Sequence, residues 1–317
     1  MTAATIPIMG DGLPPALREM LGPGIEVLEW DETPGSAALA RAIGIITYGH
    51  PHVDGTLMDR IPNLKIISNH GVGVDHIDGA AARSRNIPVG NTPGCLDAST
   101  ADMTMALLLA TARNVVAGDR FARSPEFTHY DPSQWIGYEV TGSTLGIVGL
   151  GRIGRQVARR AAAFEMKVLY HNRRRDECAE RELGVIYSPF DDLLRQSDFV
   201  SLNCPLTPET TNLIGTRELG LMKPTGILLN LARGPVVDHD ALFTAMSSRR
   251  IAAAGLDVTA PEPLPRDHPL LGLPNLVITP HLGSASNRTR KRMLEMTVEN
   301  LRAGLQSEPL PWAVGME

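Results

Sequence analysis

The chain has 317 residues, of which 43% are hydrophobic and 21% charged, and its formal net charge is −5 at pH 7. This length suggests about two domains, and the apolar fraction excludes wholesale disorder. The negative charge and an aromatic content of only 4% argue against nucleic acid or an anionic membrane surface as a partner. Of the 30 basic residues only four are lysine, so arginine, which grips phosphate and carboxylate in a bidentate manner, supplies most of the positive charge.

The three cysteines, Cys95, Cys178 and Cys204, are too sparse for a disulfide framework, and neither they nor the histidines show the spacing of a metal site. Residues 1–10 contain no basic region followed by an apolar core, so we do not expect them to be a secretion signal. The longest apolar stretch, residues 103–112, is shorter than the roughly 20 residues that a membrane span needs. We therefore expect a soluble, cytoplasmic protein without a bound metal.

The first part of the chain alternates short β-like segments with helix-like ones. Strands are predicted over 6–9, 25–28, 43–47, 64–68 and 87–89, and the helices between them over 15–21, 37–42, 55–60 and 77–85. Such alternation predicts a parallel sheet with helices on both faces. A long helix follows over 96–116, with Asp97 or Ser99 as a candidate cap, and its nearly all-round apolar character predicts that it is buried.

A second alternating series follows an aperiodic segment, residues 118–142, which contains Tyr130, Trp135 and Tyr138. Its predicted strands are 144–148, 167–170, 199–202, 226–230, 253–257 and 276–278, and its predicted helices are 152–164, 178–183, 190–196, 217–222 and 239–247. A last helix is predicted over 285–304. The sequence therefore predicts two α/β domains, with residues 96–285 inserted into a domain made of 1–95 plus 286–317.

The strand predicted over 144–148 leads into a G-x-G-x-x-G motif formed by Gly149, Gly151 and Gly154. The first glycine permits a tight turn, the second lets the backbone approach a pyrophosphate, and the third lets helix and strand pack closely. Because the free N–H groups of a helix N-terminus attract phosphate, the motif predicts a dinucleotide-binding site.

About 20 residues further on, NAD-binding proteins carry a carboxylate that hydrogen-bonds the adenosine ribose. Here Asn172 stands in its place, followed by Arg173 and Arg174. A carboxylate would repel a 2′-phosphate, whereas arginine can grip it. The sequence favours NADPH over NADH, and the alternative is a solvated charged turn.

Three segments at predicted strand ends carry Arg233, Glu262 and His281. Ligands of open α/β sheets collect at such ends. Arg233 can bind a carboxylate and polarise a carbonyl, and His281 can donate a proton near neutral pH. Glu262, if hydrogen-bonded to His281, would favour the imidazolium and fix its tautomer. These residues predict the reduction of a 2-keto acid to a 2-hydroxy acid.

The ordered motifs resemble those of the D-isomer-specific 2-hydroxyacid dehydrogenases over nearly the whole chain. Besides the Gly-rich turn and Arg233-Gly234, they include the segments Ala252–His268 and His281–Arg290. These two segments look most like the glyoxylate/hydroxypyruvate reductase branch. The resemblance implies two doubly wound parallel-sheet domains, a flavodoxin-like substrate domain and a Rossmann cofactor domain, with a cleft between them.

The resemblance also implies roles for individual residues. Arg233, Glu262 and His281 would be the catalytic set, with Val72 and Gly73 offering backbone N–H groups to the substrate carboxylate. Ser284 would lie near the substrate hydroxymethyl group. The cofactor would be contacted, beside the turn residues named above, by Arg152, Ile153, Pro205, Leu231, Asp257 and Gly283.

The family implies a homodimer formed through the cofactor domain. In the reductase branch a Trp reaches the partner's active site, and Trp135 is its counterpart here; the alternative is interface packing only. Two other functions remain open: a reductase of bulkier keto acids such as an arylpyruvate or 2-ketogluconate, and a nucleotide-sensing regulatory protein like the corepressor relatives.

Overall fold

The computed structural model describes residues 5–315. The chain divides into two compact units: unit 1 comprises the described parts of Met1–Leu96 and Ser286–Glu317, and unit 2 comprises Asp97–Ala285. Each unit contains one sheet in which all paired strands are parallel. The predicted class of two parallel-sheet α/β domains is therefore confirmed.

Unit 1 begins with five strands joined by four helices. The strands are β1 (Ile6–Gly10), β2 (Ile25–Glu29), β3 (Ile45–Thr47), β4 (Ile67–Asn69) and β5 (Val89–Gly90), and the helices are α1 (Pro15–Leu21), α2 (Ala37–Arg41), α3 (Gly55–Asp59) and α4 (Gly79–Ser84). The strand order β2-β1-β3-β4-β5 is that of a flavodoxin-like sheet. Ser36, Asp54 and Asp78 cap α2, α3 and α4 by accepting a backbone N–H of the first turn.

Unit 2 carries seven strands. They are β6 (Thr144–Val148), β7 (Lys167–His171), β8 (Ile186–Tyr187), β9 (Phe199–Leu202), β10 (Ile227–Asn230), β11 (Ala253–Leu256) and β12 (Leu276–Ile278). Its helices are α5 (Asp97–Ala112), α6 (Val115–Ala122), α7 (Arg152–Ala163), α8 (Glu177–Leu183), α9 (Phe190–Gln196), α10 (Thr216–Leu221) and α11 (His239–Ser247). The order β12-β11-β10-β9-β6-β7-β8 reverses between β6 and β9, which is the switch point where dinucleotides bind in Rossmann sheets.

The last helix, α12 (Asn287–Leu305), belongs to unit 1 and packs against α1 and β4. Its Val298 and Leu301 join Ile8 and Ile66 in one apolar cluster of that unit. The tail after α12 then pairs with the edge of β5, where the Val314 N–H donates to the Val89 carbonyl at 2.7 Å. Within residues 5–315, no helix is long and apolar enough to cross a membrane.

The predicted single helix over 96–116 is wrong, because α5 ends at Ala112 and α6 starts at Val115. Asn114 lies between them in the left-handed conformation, with φ of 54°, which Asn tolerates better than most residues. The segment that follows α6 returns to this point, where the Tyr138 N–H donates a hydrogen bond to the Ala112 carbonyl at 2.8 Å. A tertiary hydrogen bond therefore ends α5 where the local sequence would continue it.

The other differences are small. Part of the segment predicted to be aperiodic forms α6, and the two-residue strand β8 was not predicted because it is too short to show a period. Strand β4 lies at Ile67–Asn69 rather than at 64–68, which makes Asn69 its last residue. That shift matters below, since the Asn69 side chain is fully buried at the carboxyl end of the sheet.

Candidate active site

The Gly-rich turn has the geometry that its motif predicts. Gly149 has φ of +98°, and a Cβ placed there would lie 2.6 Å from the Cys204 backbone nitrogen. A Cβ on Gly154 would lie 2.4 Å from the Gly149 carbonyl oxygen, so helix α7 and strand β6 could not pack as they do. A Cβ on Gly151, in contrast, would meet nothing within 4 Å. The backbone at Gly151 thus faces open space.

Helix α7 begins at this turn without a side-chain cap on Gly151, so its first N–H groups remain available to an anion. Arg152 is exposed at the first helical position, and Ile153 is half-buried against the apolar core. The Leu150 N–H is bound by the Asn172 side-chain oxygen at 2.7 Å. Asn172 therefore stabilises the Gly-rich turn through a hydrogen bond. The uncapped helix end and the open space at Gly151 fit a dinucleotide pyrophosphate.

The arginines after β7 divide into paired and unpaired ones. Arg175 makes a bidentate ion pair with Glu180, at 2.8 and 2.7 Å. Arg173 and Arg174 are exposed, and among residues 5–315 neither has a carboxylate partner. Neither forms a salt bridge in this range, but the hydrogen bond from Thr207 and, more weakly, the charge of Arg173 lower the pKa of the Glu209 carboxyl.

His281 and Glu262 are hydrogen-bonded, with 2.7 Å between Nδ1 and Oε1. Partial burial raises the pKa of Glu262, but the hydrogen bond and charge of His281, with the Arg233 guanidinium, outweigh burial and hold the pKa below its ordinary value. Glu262 is therefore ionised at neutral pH. Its contact on Nδ1 leaves Nε2 as the atom of His281 that can deliver a proton.

Asp257 holds the loop that carries His281. Its carboxylate accepts hydrogen bonds from the Thr279 hydroxyl at 2.6 Å and from the N–H groups of Leu282 at 2.7 Å and Gly283 at 2.8 Å. The His281 backbone is in the left-handed region, with φ of 56°, which is uncommon for histidine. Asp257 thus holds the chain before and after His281 and stabilises this uncommon backbone conformation. This scaffolding role of Asp257 was not predicted from the sequence.

Arg233 follows β10 on a loop that packs closely against the segment carrying Glu262. A Cβ on Gly234 would lie 1.9 Å from the Thr259 carbonyl oxygen, so only glycine permits this approach. The Asn230 amide donates to the Arg233 carbonyl at 2.9 Å and fixes the loop. The structure therefore brings Arg233, Glu262 and His281 together within unit 2.

In unit 1, three consecutive residues after β4, Gly71–Gly73, have carbonyl groups that each accept a hydrogen bond from an asparagine amide. The Gly71 and Gly73 carbonyls accept from the Asn69 amide at 3.0 and 2.8 Å, and the Val72 carbonyl accepts from the Asn91 amide at 2.9 Å. In the part of the chain that the structure describes, the N–H groups of Val72 and Gly73 have no acceptor. Val72 and Gly73 were predicted from the sequence to bind the substrate carboxylate, whereas no role was predicted for Asn69 or Asn91.

The remaining candidates lie at other positions of unit 2. Leu231 is buried after β10, Pro205 is exposed after β9, and the Gly283 carbonyl accepts from the Ser99 hydroxyl at 3.0 Å. Ser284 is half-buried directly after Gly283. Trp135 is 47% exposed and packs against Phe121, with ring centroids 5.4 Å apart.

Neither a nucleophilic thiol nor a metal ion is supported as part of the site by the described residues. Burial raises the pKa of Cys204 to about 11, so its thiol is protonated at neutral pH and unsuited to nucleophilic attack. Over the described range 5–315, no group of three or more His, Cys, Asp and Glu residues could hold a metal ion. The arrangement is that of proton transfer and anion binding.

Comparison with known proteins agrees with this geometry. The family model for the NAD-binding domain of the D-isomer-specific 2-hydroxyacid dehydrogenases matches residues 105–283. A glyoxylate reductase of Korarchaeum cryptofilum (strain OPF8) is 49% identical over 266 residues, which are 84% of this chain and 80% of the relative. A glyoxylate reductase of Pyrococcus furiosus is 44% identical over 308 residues, 94% of this chain and 91% of the relative.

A solved structure is similar over nearly its full length. The NADPH-dependent glyoxylate/hydroxypyruvate reductase of Sinorhizobium meliloti, in complex with NADP and malonate, has a TM-score of 0.90 and 32% identity, and the match covers 98% of this chain and 97% of that one. The chain belongs to the D-isomer-specific 2-hydroxyacid dehydrogenase family. It is an oxidoreductase with a nicotinamide cofactor.

Proposed function

We propose that this protein reduces small 2-keto acids with NADPH, glyoxylate to glycolate and hydroxypyruvate to D-glycerate. The observation that carries the proposal is the 2.7 Å hydrogen bond between His281 and Glu262 on a dinucleotide-binding sheet, with Arg233 beside it. The glyoxylate reductases of Korarchaeum and Pyrococcus support the choice of substrate class. Unit 1 is then the substrate domain and unit 2 the cofactor domain.

In this mechanism the bound nicotinamide supplies a hydride to the carbonyl carbon. Arg233 binds the substrate carboxylate and stabilises the negative charge that develops on the carbonyl oxygen. His281 gives its proton to that oxygen from Nε2, while Glu262 stabilises the imidazolium form beforehand. Val72 and Gly73 bind the carboxylate with their backbone N–H groups, and Ser284 lies near the hydroxymethyl group of hydroxypyruvate.

The cofactor is assigned to the groups around the turn of unit 2. Gly149, Gly151 and Gly154, with Arg152 and Ile153, hold the pyrophosphate at the start of α7. Pro205 and Leu231 would form the pocket wall, and Asp257 and Gly283 would be near the nicotinamide when the cofactor is bound. The unpaired Arg173 and Arg174 bind the 2′-phosphate of NADPH, and Asn172 removes the repulsion that a carboxylate would cause.

We also propose a homodimer built on unit 2. Large apolar side chains remain exposed there, including Val115 at 53% and Ile136 at 76%. Ile136 lines a cavity of about 350 Å³ together with Val116, Tyr138 and Ile278. Exposed apolar surface of this kind marks protein interfaces. Trp135, beside this surface, would reach the partner's active site. Because Cys95, Cys178 and Cys204 form no disulfide among residues 5–315, we also propose that the protein works in a reducing cytoplasm.

One panel tests the proposal: initial rates with glyoxylate, hydroxypyruvate, pyruvate, phenylpyruvate and 2-ketogluconate, each with NADPH and NADH. We expect the highest kcat/KM with glyoxylate or hydroxypyruvate and NADPH. A preference for phenylpyruvate or 2-ketogluconate would favour a reductase of bulkier acids. Tight NADPH binding without turnover of any substrate would favour a nucleotide-sensing protein.

A further inference from the structure

The loop assigned to the substrate carboxylate contains no charged or polar side chain that could orient it, since its sequence is Gly71-Val72-Gly73. Its orientation comes from neighbouring residues instead. Asn69 is the last residue of β4 and is fully buried, and Asn91 follows β5. We propose that Asn69 and Asn91 are positioning residues that turn this loop's N–H groups toward the carboxylate. This inference rests on the proposed function.

The amide of Asn69 can adopt only one orientation. The Thr47 hydroxyl, fully buried at the end of β3, donates to the Asn69 Oδ1 atom at 2.7 Å. The Nδ2 group therefore faces the Gly71 and Gly73 carbonyls, at 3.0 and 2.8 Å. A reversed amide would set its oxygen against two carbonyl oxygens and lose both hydrogen bonds.

Asn91 completes the arrangement from the other side. Its amide donates to the Val72 carbonyl at 2.9 Å, and its own backbone is anchored on both sides. The Asn91 N–H donates to the Trp312 carbonyl at 3.1 Å, and the Asn300 amide donates to the Asn91 carbonyl at 2.9 Å. Asn91 therefore acts from a fixed backbone.

The pinned carbonyls determine where the N–H groups point. In a trans peptide the C=O of one residue and the N–H of the next lie antiparallel in one plane. Fixing the carbonyls of Gly71, Val72 and Gly73 inward thus directs the N–H groups of Val72, Gly73 and Val74 the opposite way. Consecutive backbone N–H groups directed away from such fixed carbonyls are available to bind an anion.

Three variants test whether Asn69 and Asn91 position the loop: Asn91→Ala, Thr47→Val and Asn69→Ala. Thr47→Val leaves Asn69 in place but removes the donor that fixes its amide, so it remains informative if Asn69→Ala folds poorly. Ser68→Ala is the matched control, because the buried Ser68 hydroxyl donates to the Thr297 carbonyl of α12 at 2.8 Å rather than to a carbonyl of the loop. KM for glyoxylate, Ki for oxalate and Kd for NADPH are measured for each enzyme.

For Asn91→Ala and Thr47→Val we expect KM for glyoxylate and Ki for oxalate to rise about tenfold, the loss of roughly one oriented hydrogen bond to a charged group. Kd for NADPH and the values for Ser68→Ala should stay at the wild-type level. Unchanged KM and Ki in both variants, or an equal change in Ser68→Ala, would overturn the positioning role of the two asparagines but not the proposed function. A wild-type enzyme that neither reduces glyoxylate nor binds oxalate would overturn the proposed function as well.

Discussion

His281 is the proposed proton donor. Its Nδ1 atom is hydrogen-bonded to Glu262, and its backbone N–H donates to the Asp257 carbonyl. For His281→Ala we expect a loss of kcat of about 10²–10⁴, the usual contribution of a general acid. NADPH binding should persist, because the phosphate-binding turn lies elsewhere on the sheet. Steady-state kinetics and NADPH fluorescence measure the two effects.

The control for this variant is His129→Ala, which removes an exposed histidine of the same unit. It should leave kcat unchanged. A His281→Ala enzyme with nearly wild-type kcat would contradict the assignment of the proton donor.

Arg173 and Arg174 are the residues that we propose to bind the 2′-phosphate of NADPH. In the double variant Arg173→Ala/Arg174→Ala we expect kcat/KM with NADPH to fall about 10- to 100-fold, the equivalent of one or two hydrogen bonds to a charged phosphate. The value with NADH should be unaffected, since NADH has no 2′-phosphate. Arg181→Ala, on the exposed face of α8, is the control. Equal losses with both cofactors would contradict the assignment.

At the scale of elements, the junction of α5 and α6 depends on a close backbone approach. A Cβ on Gly137 would lie 2.3 Å from the Ala112 carbonyl oxygen, at the point where the Tyr138 N–H binds it. We expect Gly137→Ala to lower the free energy of unfolding by about 1–3 kcal/mol, as overpacking does. Urea denaturation measures the change.

Gly220→Ala provides the contrast, because a Cβ on this helical glycine would meet nothing within 4 Å. Alanine favours a helix over glycine, so we expect this variant to be as stable as the wild type or slightly more stable. Gly137→Ala at wild-type stability would show that the returning segment does not end α5.

The sequence predicted those elements whose information is local. The Gly149 turn could be predicted because a positive φ and a close backbone approach admit only glycine. The break at Asn114 could not, since it depends on a hydrogen bond from Tyr138, 24 residues away in the chain. Asn69 and Asn91 were missed for a related reason: their partners are backbone carbonyls, which leave no pattern in the side chains.

At the scale of the whole molecule, buried histidines make stability depend on pH. Burial, aided by the charges of Arg290 and His50, lowers the pKa of His70 from 6.5 to about 4. Its Nδ1 atom lies 3.2 Å from the Thr297 hydroxyl, whose own proton goes to the Met293 carbonyl, so Nδ1 carries the hydrogen. Its Nε2 atom is buried and has no hydrogen-bond partner among residues 5–315, which disfavours protonation. Burial likewise lowers the pKa of His239.

Since the folded pKa of His70 lies below the unfolded one, the unfolded chain binds more protons between the two values. The free energy of unfolding therefore falls as pH decreases from 6.5 toward 4, by roughly 3 kcal/mol for His70 when protonation of the unfolded chain is complete. Above pH 6.5 both states are neutral and this contribution vanishes. Urea denaturation of the wild type at several pH values should show the decline.

The His70→Phe variant isolates this effect, because an aromatic ring can keep the stacking on Tyr48, whose centroid lies 4.7 Å from that of His70. We expect its stability to decline less steeply over the same pH range. Parallel curves for the two proteins would show that His70 is protonated equally in the folded and unfolded states.

The return of α12 to unit 1 has a consequence for biosynthesis. A ribosome makes all of Asp97–Ala285 before it makes the helix that covers Ile8 and Ile66. During that interval the nascent chain can complete unit 2, while the apolar face of unit 1 stays open and Asn91 still lacks Trp312 and Asn300. The first strands of unit 1 are thus made before unit 2 but are covered only after unit 2 is complete, so their apolar face is the surface that a chaperone would need to shield.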